Sequence, residues 1–312
     1  MRSVYLAHLG YNMWKEAPVD RIDGVKATDM PFVEQATASY DLRFDTDEWD
    51  KIVKLLIEAG CDTVLLDIGE GVVYERHPEL AVNGSWSKQR LADEISRLKG
   101  LGLTVLPKLN FSACHDEWLG IYSRMVSTPE YYRVCADCID ELAELFSGAD
   151  MFHLGMDEET AGHQSTYKYI VVRQCDLWWH DFDFLVKTVE KHGMRPWVWS
   201  DYGWHNADLF WKNMSKDIVQ SNWYYGDFVE NEKHYYGFYD DLASRGYDQI
   251  PTGSNWSFYE NMPKTAQYVK SLPQDHMLGI MQSVWHPTIR KYDERHTGAI
   301  KALAEANRII GK

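Results

Sequence analysis

The sequence predicts a single (β/α)8 TIM barrel, an α/β fold in which each parallel strand is followed by a helix. Eight short β-like runs alternate with amphipathic helical runs along the 312 residues, and alternating βα units imply a parallel sheet. Eight such units in roughly 300 residues is the barrel count. A doubly wound open sheet would carry a glycine-rich phosphate turn after its first strand. Here that turn reads Gly10-Tyr11-Asn12-Met13-Trp14.

The first strand is expected at Val4–Leu9, followed by a long loop at about residues 10–47. Glu48–Ala59 reads as a helix because Trp49, Ile52, Val53, Leu55, Leu56 and Ile57 give it an apolar face, and Gly60 stops it. Thr63–Ile68 reads as a second, buried strand. Ser87 caps a helix that runs to Leu101 and stops at Gly102. Leu103–Leu109 is the third strand, and Pro129, at home in a first turn, opens a helix to Phe146. Met151–Met156 is the fourth strand, Asp181–His192 a helix and Pro196–Ser200 the fifth strand. The sixth is Asp217–Trp223, followed by a helix over Glu232–Arg245. A weak seventh at Gln249–Asn255, a helix at Pro263–Ser271, an eighth strand at Met277–Trp285 and a helix at Ile289–Ile310 complete the series. No repeat, low-complexity tract or linker divides the chain, so residues 1–312 read as one domain.

A net charge of −15 repels a phosphate backbone, and no Lys/Arg run offsets it, so nucleic acid is not an expected partner. No apolar stretch approaches the roughly 20 residues needed to span a bilayer, so no membrane partner is expected either. Nothing at the N-terminus resembles a signal peptide. The five cysteines are odd in number and scattered, which fits reduced thiols in a cytoplasm. Cys135 and Cys138 form a C-x-x-C inside a helix without a second pair, so no metal and no cofactor are expected.

In a barrel of this kind the active site forms at the C-terminal ends of the strands. There the sequence collects polar and aromatic residues: His8, Tyr11 and Trp14, then Asp67 and Glu70, then Lys108, Asn110 and His115. The series continues with Asp157, Glu158 and Glu159, with Trp199 and Asp201, with Trp223 and Tyr224, and with Trp256 and Trp285. Strand ends meet water and are polar in any protein, but that does not account for Trp at five of them. Flat aromatic faces suit the C–H faces of sugar rings, so a small-molecule or oligosaccharide substrate is expected.

The sharpest run is His153-Leu154-Gly155-Met156-Asp157-Glu158. With a period of two, His153, Gly155 and Asp157 share a face. If that face is the barrel interior, Asp157 points into the mouth and Glu158 leans over it from the strand's end. Two neighbouring carboxylates in a dry site cannot both keep their solution pKa, so one is expected to be pushed up and to hold a proton. A glycosidic leaving oxygen needs such a proton.

This run resembles the His-x-Gly-x-Asp-Glu signature of glycoside hydrolase family 20, the β-N-acetylhexosaminidases. Val105–Asn110 is similar to the family's third-strand run, and Arg195–Asp201 to its fifth-strand Trp-Ser-Asp variant. Trp223-Tyr224 and Trp285 fall where the family places sugar-pocket aromatics. The resemblance implies substrate-assisted retaining hydrolysis of β-linked N-acetylhexosamines, in which the 2-acetamido oxygen is the nucleophile. It makes Glu158 the general acid and Asp157 the residue that orients the acetamido N–H. Tyr224 would hold the acetamido carbonyl, with Tyr225 its rival. His8, Tyr11, Asp67, Asn110, His153, Trp199, Asp201, Trp223, Trp256 and Trp285 would complete the substrate site, His153 chiefly by supporting the carboxylates. The chain departs from the pattern in two places. No Arg stands at the end of the first strand, and Lys108 replaces the glutamate after the third-strand proline. Three other readings remain open. A retaining glycosidase of a non-acetamido sugar would use Asp201, Asp67 or Glu70 as nucleophile. A metal-dependent barrel could draw on Asp67, His115, His153, Asp157 and Glu159. A non-catalytic carbohydrate-binding barrel would keep only the aromatics.

Overall fold

A computed structural model describes residues 1–15, 36–165 and 167–312, together with the backbone of a two-residue ribbon pairing Arg21–Ile22 with Val25–Lys26. The expected loop at about residues 10–47 lies largely outside the described residues.

Eight parallel strands form one sheet: β1 Arg2–His8, β2 Thr63–Asp67, β3 Thr104–Lys108, β4 Met151–His153, β5 Arg195–Trp199, β6 Val219–Ser221, β7 Thr252–Ser254 and β8 Gly279–Ser283. Their order is β6-β5-β4-β3-β2-β1-β8-β7. Backbone bonds from Ile250 N to Gln220 O and from Thr252 N to Asn222 O, both 2.9 Å, join β6 to β7 and close the barrel. Inward-facing side chains, among them Leu6, Leu65, Leu106, Trp197, Val219 and Met281, fill the interior as one apolar cluster. The outward faces pack against the helices in a second, larger cluster.

The helices are α1 Thr46–Glu58, α2 Lys88–Gly100, α3 Pro129–Leu145, α4 Asp176–Glu190, α5 Ala207–Asn213, α6 Phe238–Ser244, α7 Asn261–Lys270 and α8 Asp293–Ile310. Asp45 caps α1 by accepting from Asp47 N at 2.9 Å, and Trp49, Ile52, Val53 and Leu56 bury its apolar face. Ser87 and Thr128 cap α2 and α3 in the same way.

All eight expected strands are present, and the differences are local. The fourth strand ends at His153 rather than Met156, because the chain beyond it turns into the left-handed region. The expected helix over Glu232–Arg245 is interrupted at Gly237, leaving α6 as its regular part. The helix α4 starts five residues before its expected Asp181, since Trp178 and Trp179 extend its buried face. Helix α5, short and followed by a tight turn, has no counterpart among the expected elements. No described helix is long and apolar enough to cross a membrane.

Candidate active site

A cavity of about 950 Å³ opens at the C-terminal mouth of the barrel. Residues beyond β3, β4, β5, β6, β7 and β8 line it, with Trp14 from the segment after β1. Its chemistry centres on the chain just past β4.

That chain leaves extended geometry abruptly. Gly155, Met156 and Glu158 have φ of 72°, 76° and 54°. A side chain is excluded at position 155, because a Cβ there would lie 2.1 Å from Asn110 Oδ1. The same oxygen accepts from Met156 N at 3.2 Å and from Ser112 N at 3.1 Å, tying the loops after β3 and β4 together. Positive φ at Met156 and Glu158 costs about 1–3 kcal/mol each. The strain is offset by specific bonds: Glu158 N donates to Asp201 Oδ2 at 2.9 Å, and the Cys114 thiol donates to Glu158 O at 2.7 Å. The consequence is that consecutive side chains, Asp157 and Glu158, both line the cavity instead of alternating between faces.

Asp157 Oδ1 accepts from Asn110 Nδ2 at 2.8 Å. Its other oxygen lies 3.5 Å from His115 Nε2, which lies 3.2 Å from Glu158 Oε2. His163 Nε2 stands 3.5 Å from Glu158 Oε1. Burial works against a charge on His115, but the two carboxylates outweigh it and raise its pKa above 6.5. Burial would likewise raise the Glu158 carboxyl, but the His115 hydrogen bond and the charges of His115 and His163 hold it below the usual glutamate value. The carboxyl pushed up is that of Asp201, at about 8, through burial and then the neighbouring charges of Asp157 and Glu158. Glu158 is thus not the carboxyl pushed up. A buried imidazole lies between the two acids, and the repulsion falls on a third carboxyl behind them. The donor atoms of His115, Asp157 and Glu158 lie within 4.8 Å of one another, a spacing that could also hold a metal ion.

Aromatic rings wall the cavity. Trp14 lies 6.0 Å from both Trp256 and Trp285 between ring centres. Trp223 donates from Nε1 to Asp201 Oδ1 at 3.2 Å and packs 4.9 Å from Tyr225 at 30°. The Tyr225 hydroxyl accepts from Ser283 Oγ at 3.3 Å, and burial raises its pKa, with Asp157 and Glu158 close enough to add to the rise. The Tyr224 hydroxyl turns away and donates to Asp227 O at 2.8 Å. Both tyrosines line the cavity, Tyr225 packed on Trp223 and Tyr224 with its hydroxyl engaged by Asp227.

Of the residues expected at the site, Asn110, Asp157, Glu158, Asp201, Trp223, Tyr224, Trp256 and Trp285 line the cavity. His8, Tyr11, Asp67, His153 and Trp199 do not. They are at most 5% exposed and lie beneath its floor. Asp67 is bound by Lys108 Nζ at 2.5 Å with His8 Nδ1 at 3.3 Å. Burial pushes Asp67 up, yet Lys108 and His8 hold it below the usual carboxylate value. Tyr11 donates to Trp285 O at 2.5 Å, fixing the start of the wall from behind. His153 spends Nδ1 on Gly155 N, at 3.0 Å, and its ring rests on Trp197 and Trp199. It thus supports the backbone under the carboxylates, not the carboxylates themselves. Glu70 accepts from Tyr11 N at 2.7 Å and Asn12 N at 3.0 Å, and Glu159 is held by Arg173 at 2.5 Å. Both are committed to structure. Sequence reasoning passed over Trp204, which lines the cavity with Tyr202 from one short turn after β5, and left His115 without a role in hydrolysis. The signal for His115 was a polar residue in the loop after β3, with no spacing that ties it to Glu158.

No protein-family model and no curated protein matches the sequence. Solved structures do match its fold. The Flavobacterium johnsoniae chitobiase of glycoside hydrolase family 20 aligns at 17% identity over 86% of this chain and 48% of its own, with a TM-score of 0.62. The family 20 exo-β-N-acetylglucosaminidase of Vibrio harveyi, solved with N-acetylglucosamine, aligns at 15% over 85% and 52%, with a TM-score of 0.63. A catalytic module of the pneumococcal exo-β-D-N-acetylglucosaminidase aligns at 15% over 99% and 83%, with a TM-score of 0.65. The chain spans about half the length of the first two. At this identity the likeness is one of fold, and the chain has the same barrel as these family 20 enzymes.

Proposed function

We propose that this protein is a glycoside hydrolase that releases β-linked N-acetylhexosamines by substrate-assisted retaining hydrolysis. One observation carries the reading: Asp157 and Glu158 stand side by side in an aromatic-walled cavity that Tyr225 also lines. An acetamido group between Asp157 and Tyr225 would donate its N–H to the carboxylate and accept from the hydroxyl. That arrangement aims its carbonyl oxygen at the anomeric carbon. Asp157 then balances the positive charge that develops on the ring formed with that oxygen. A proton passing from His115 Nε2 to Glu158, 3.2 Å away, is delivered to the leaving oxygen, and Glu158 later takes one from water. The two carboxylates raise the pKa of His115, which favours a proton on its Nε2, 3.2 Å from Glu158 Oε2.

The protein-nucleophile alternative has less support. Asp67 and Glu70 are committed beneath the floor and behind the wall, and Asp201, at about 8, is neutral at physiological pH and so a poor nucleophile. The test is a panel of aryl β-glycosides with and without the 2-acetamido group, run on wild type, Asp157→Asn and Glu158→Gln. Turnover confined to the acetamido substrates, and lost most in Glu158→Gln on poor leaving groups, supports the proposal. Equal turnover of both series, or equal activity of Glu158→Gln on every substrate, rejects it.

A further inference from the structure

The cluster that serves a proton can also serve a metal. We propose that His115, Asp157 and Glu158 bind a divalent transition cation of the zinc type, with His163 poised as a fourth ligand, and that the bound cation competes with substrate. The cation binding stands on the geometry alone, and the competition rests on the function proposed above.

Tetrahedral zinc with nitrogen and oxygen donors at about 2.0–2.1 Å sets neighbouring donors about 3.3 Å apart. His115 Nε2 lies 3.2 Å from Glu158 Oε2 and 3.5 Å from Asp157 Oδ2, so two edges of that tetrahedron already exist. The remaining separation among these donor atoms is within 4.8 Å and closes with a small carboxylate rotation. His163 Nε2 lies 3.5 Å from the other Glu158 oxygen, on a side chain 49% exposed whose Nδ1 is engaged by Thr160 Oγ1 at 2.8 Å. Mixed imidazole and carboxylate donors select zinc-type cations over calcium or magnesium, which take oxygen ligands in larger numbers.

The same geometry makes the cation an inhibitor. A cation on His115 Nε2 displaces the proton held there, and one on Glu158 Oε2 takes the lone pair that must carry a proton to the leaving group. A cation on Asp157 occupies the carboxylate that an acetamido N–H would need. The site is also loosely supported. Ligating histidines usually donate their second ring nitrogen to a fixing partner, and His115 Nδ1 is buried with no hydrogen-bond partner. The cation should therefore leave readily to a chelator.

Zinc chloride titrated calorimetrically into the whole protein tests the binding. The expected result is one site per chain, reversed by EDTA and absent in Glu158→Gln. In His163→Gln, a change on the surface that leaves the fold intact, affinity should fall roughly 10-fold or more. In the aryl glycoside assay zinc should raise KM and leave kcat unchanged. Wild type and Glu158→Gln binding zinc equally, or no binding up to about 1 mM, would overturn the site. A fall in kcat at constant KM would place the cation elsewhere. Activity lost to EDTA and restored by zinc would make the cation a catalyst and overturn the competition. The calorimetric arm decides the site even if the protein hydrolyses no glycoside.

Discussion

Asp67 at the end of β2 and Asp157 beyond β4 are both buried carboxylates at the same mouth of the barrel, under 10% exposed. Their surroundings differ in one respect. Asp67 has Lys108 at 2.5 Å and His8 at 3.3 Å, so its charge is matched within its own layer. Asp157 and Glu158 share a single imidazole, and burial together with their excess negative charge raises Asp201 to about 8. The two regions use the same residue types. One closes its charges into the floor, and the other leaves them short of partners facing an open cavity. Unbalanced charge in a concavity, not polarity at a strand end, marks the place where a substrate can complete the set.

The largest expected effect is on the open side. Glu158→Gln should lower kcat/KM by about 10²–10⁴ on substrates with poor leaving groups, with a smaller loss on good ones. The mirror experiment on the closed side is Lys108→Met, which leaves Asp67 buried without its cation. It should cost about 3–5 kcal/mol of stability, read by denaturant unfolding. A melting profile like that of wild type would break the comparison.

The next effect separates the two tyrosines. Tyr225→Phe should lower kcat/KM by about 10-fold or more, the worth of one hydrogen bond to a charged or developing-charge group, while Tyr224→Phe changes it little. The opposite ranking would return the acetamido carbonyl to Tyr224.

The pH dependence follows from the signs of the shifts. His115 holds its proton above pH 6.5, so activity should persist through that value and fall only at more alkaline pH. In His115→Gln that limb should move, which a pH profile of kcat/KM would show. Asp201 bears on stability and not on rate. Its folded pKa, about 8, lies above the ordinary aspartate value of 3.8, so the native state holds a proton that the unfolded chain has lost. Stability should therefore decline as pH rises from about 4 to about 8 and level off beyond. Asp201→Asn should flatten that slope, read by unfolding midpoints across the range.

The barrel was legible because its signal is repeated. Eight apolar runs at regular spacing, with Ser87 as a cap and Pro129 in a first turn, fix elements one at a time from local chemistry. Asp157 and Glu158 were legible because they sit in one short run. The rest of the site was not, since it depends on contacts across sequence. Nothing local ties His115 to Glu158, 43 residues away, or distinguishes Tyr225 from Tyr224. The period-two argument placed Asp157 in the mouth for a reason that does not hold, since the strand has already ended at His153. What carries both acids into the cavity is the left-handed turn through Gly155, Met156 and Glu158, permitted by the Asn110 contact. Burial also decided Asp67, Tyr11 and His8, which read as pocket residues from their strand ends and lie under the floor because Lys108, Trp285 and the barrel interior claim them.

The account turns on who attacks the anomeric carbon. Aryl N-acetyl-β-glucosaminides whose acetyl group carries zero to three fluorines test this directly, because each fluorine weakens the amide oxygen as a nucleophile. The account predicts that kcat/KM falls steeply and progressively along the series in the wild-type protein. A rate that does not change with fluorination would put the nucleophile on the protein and contradict the roles given to Asp157 and Tyr225.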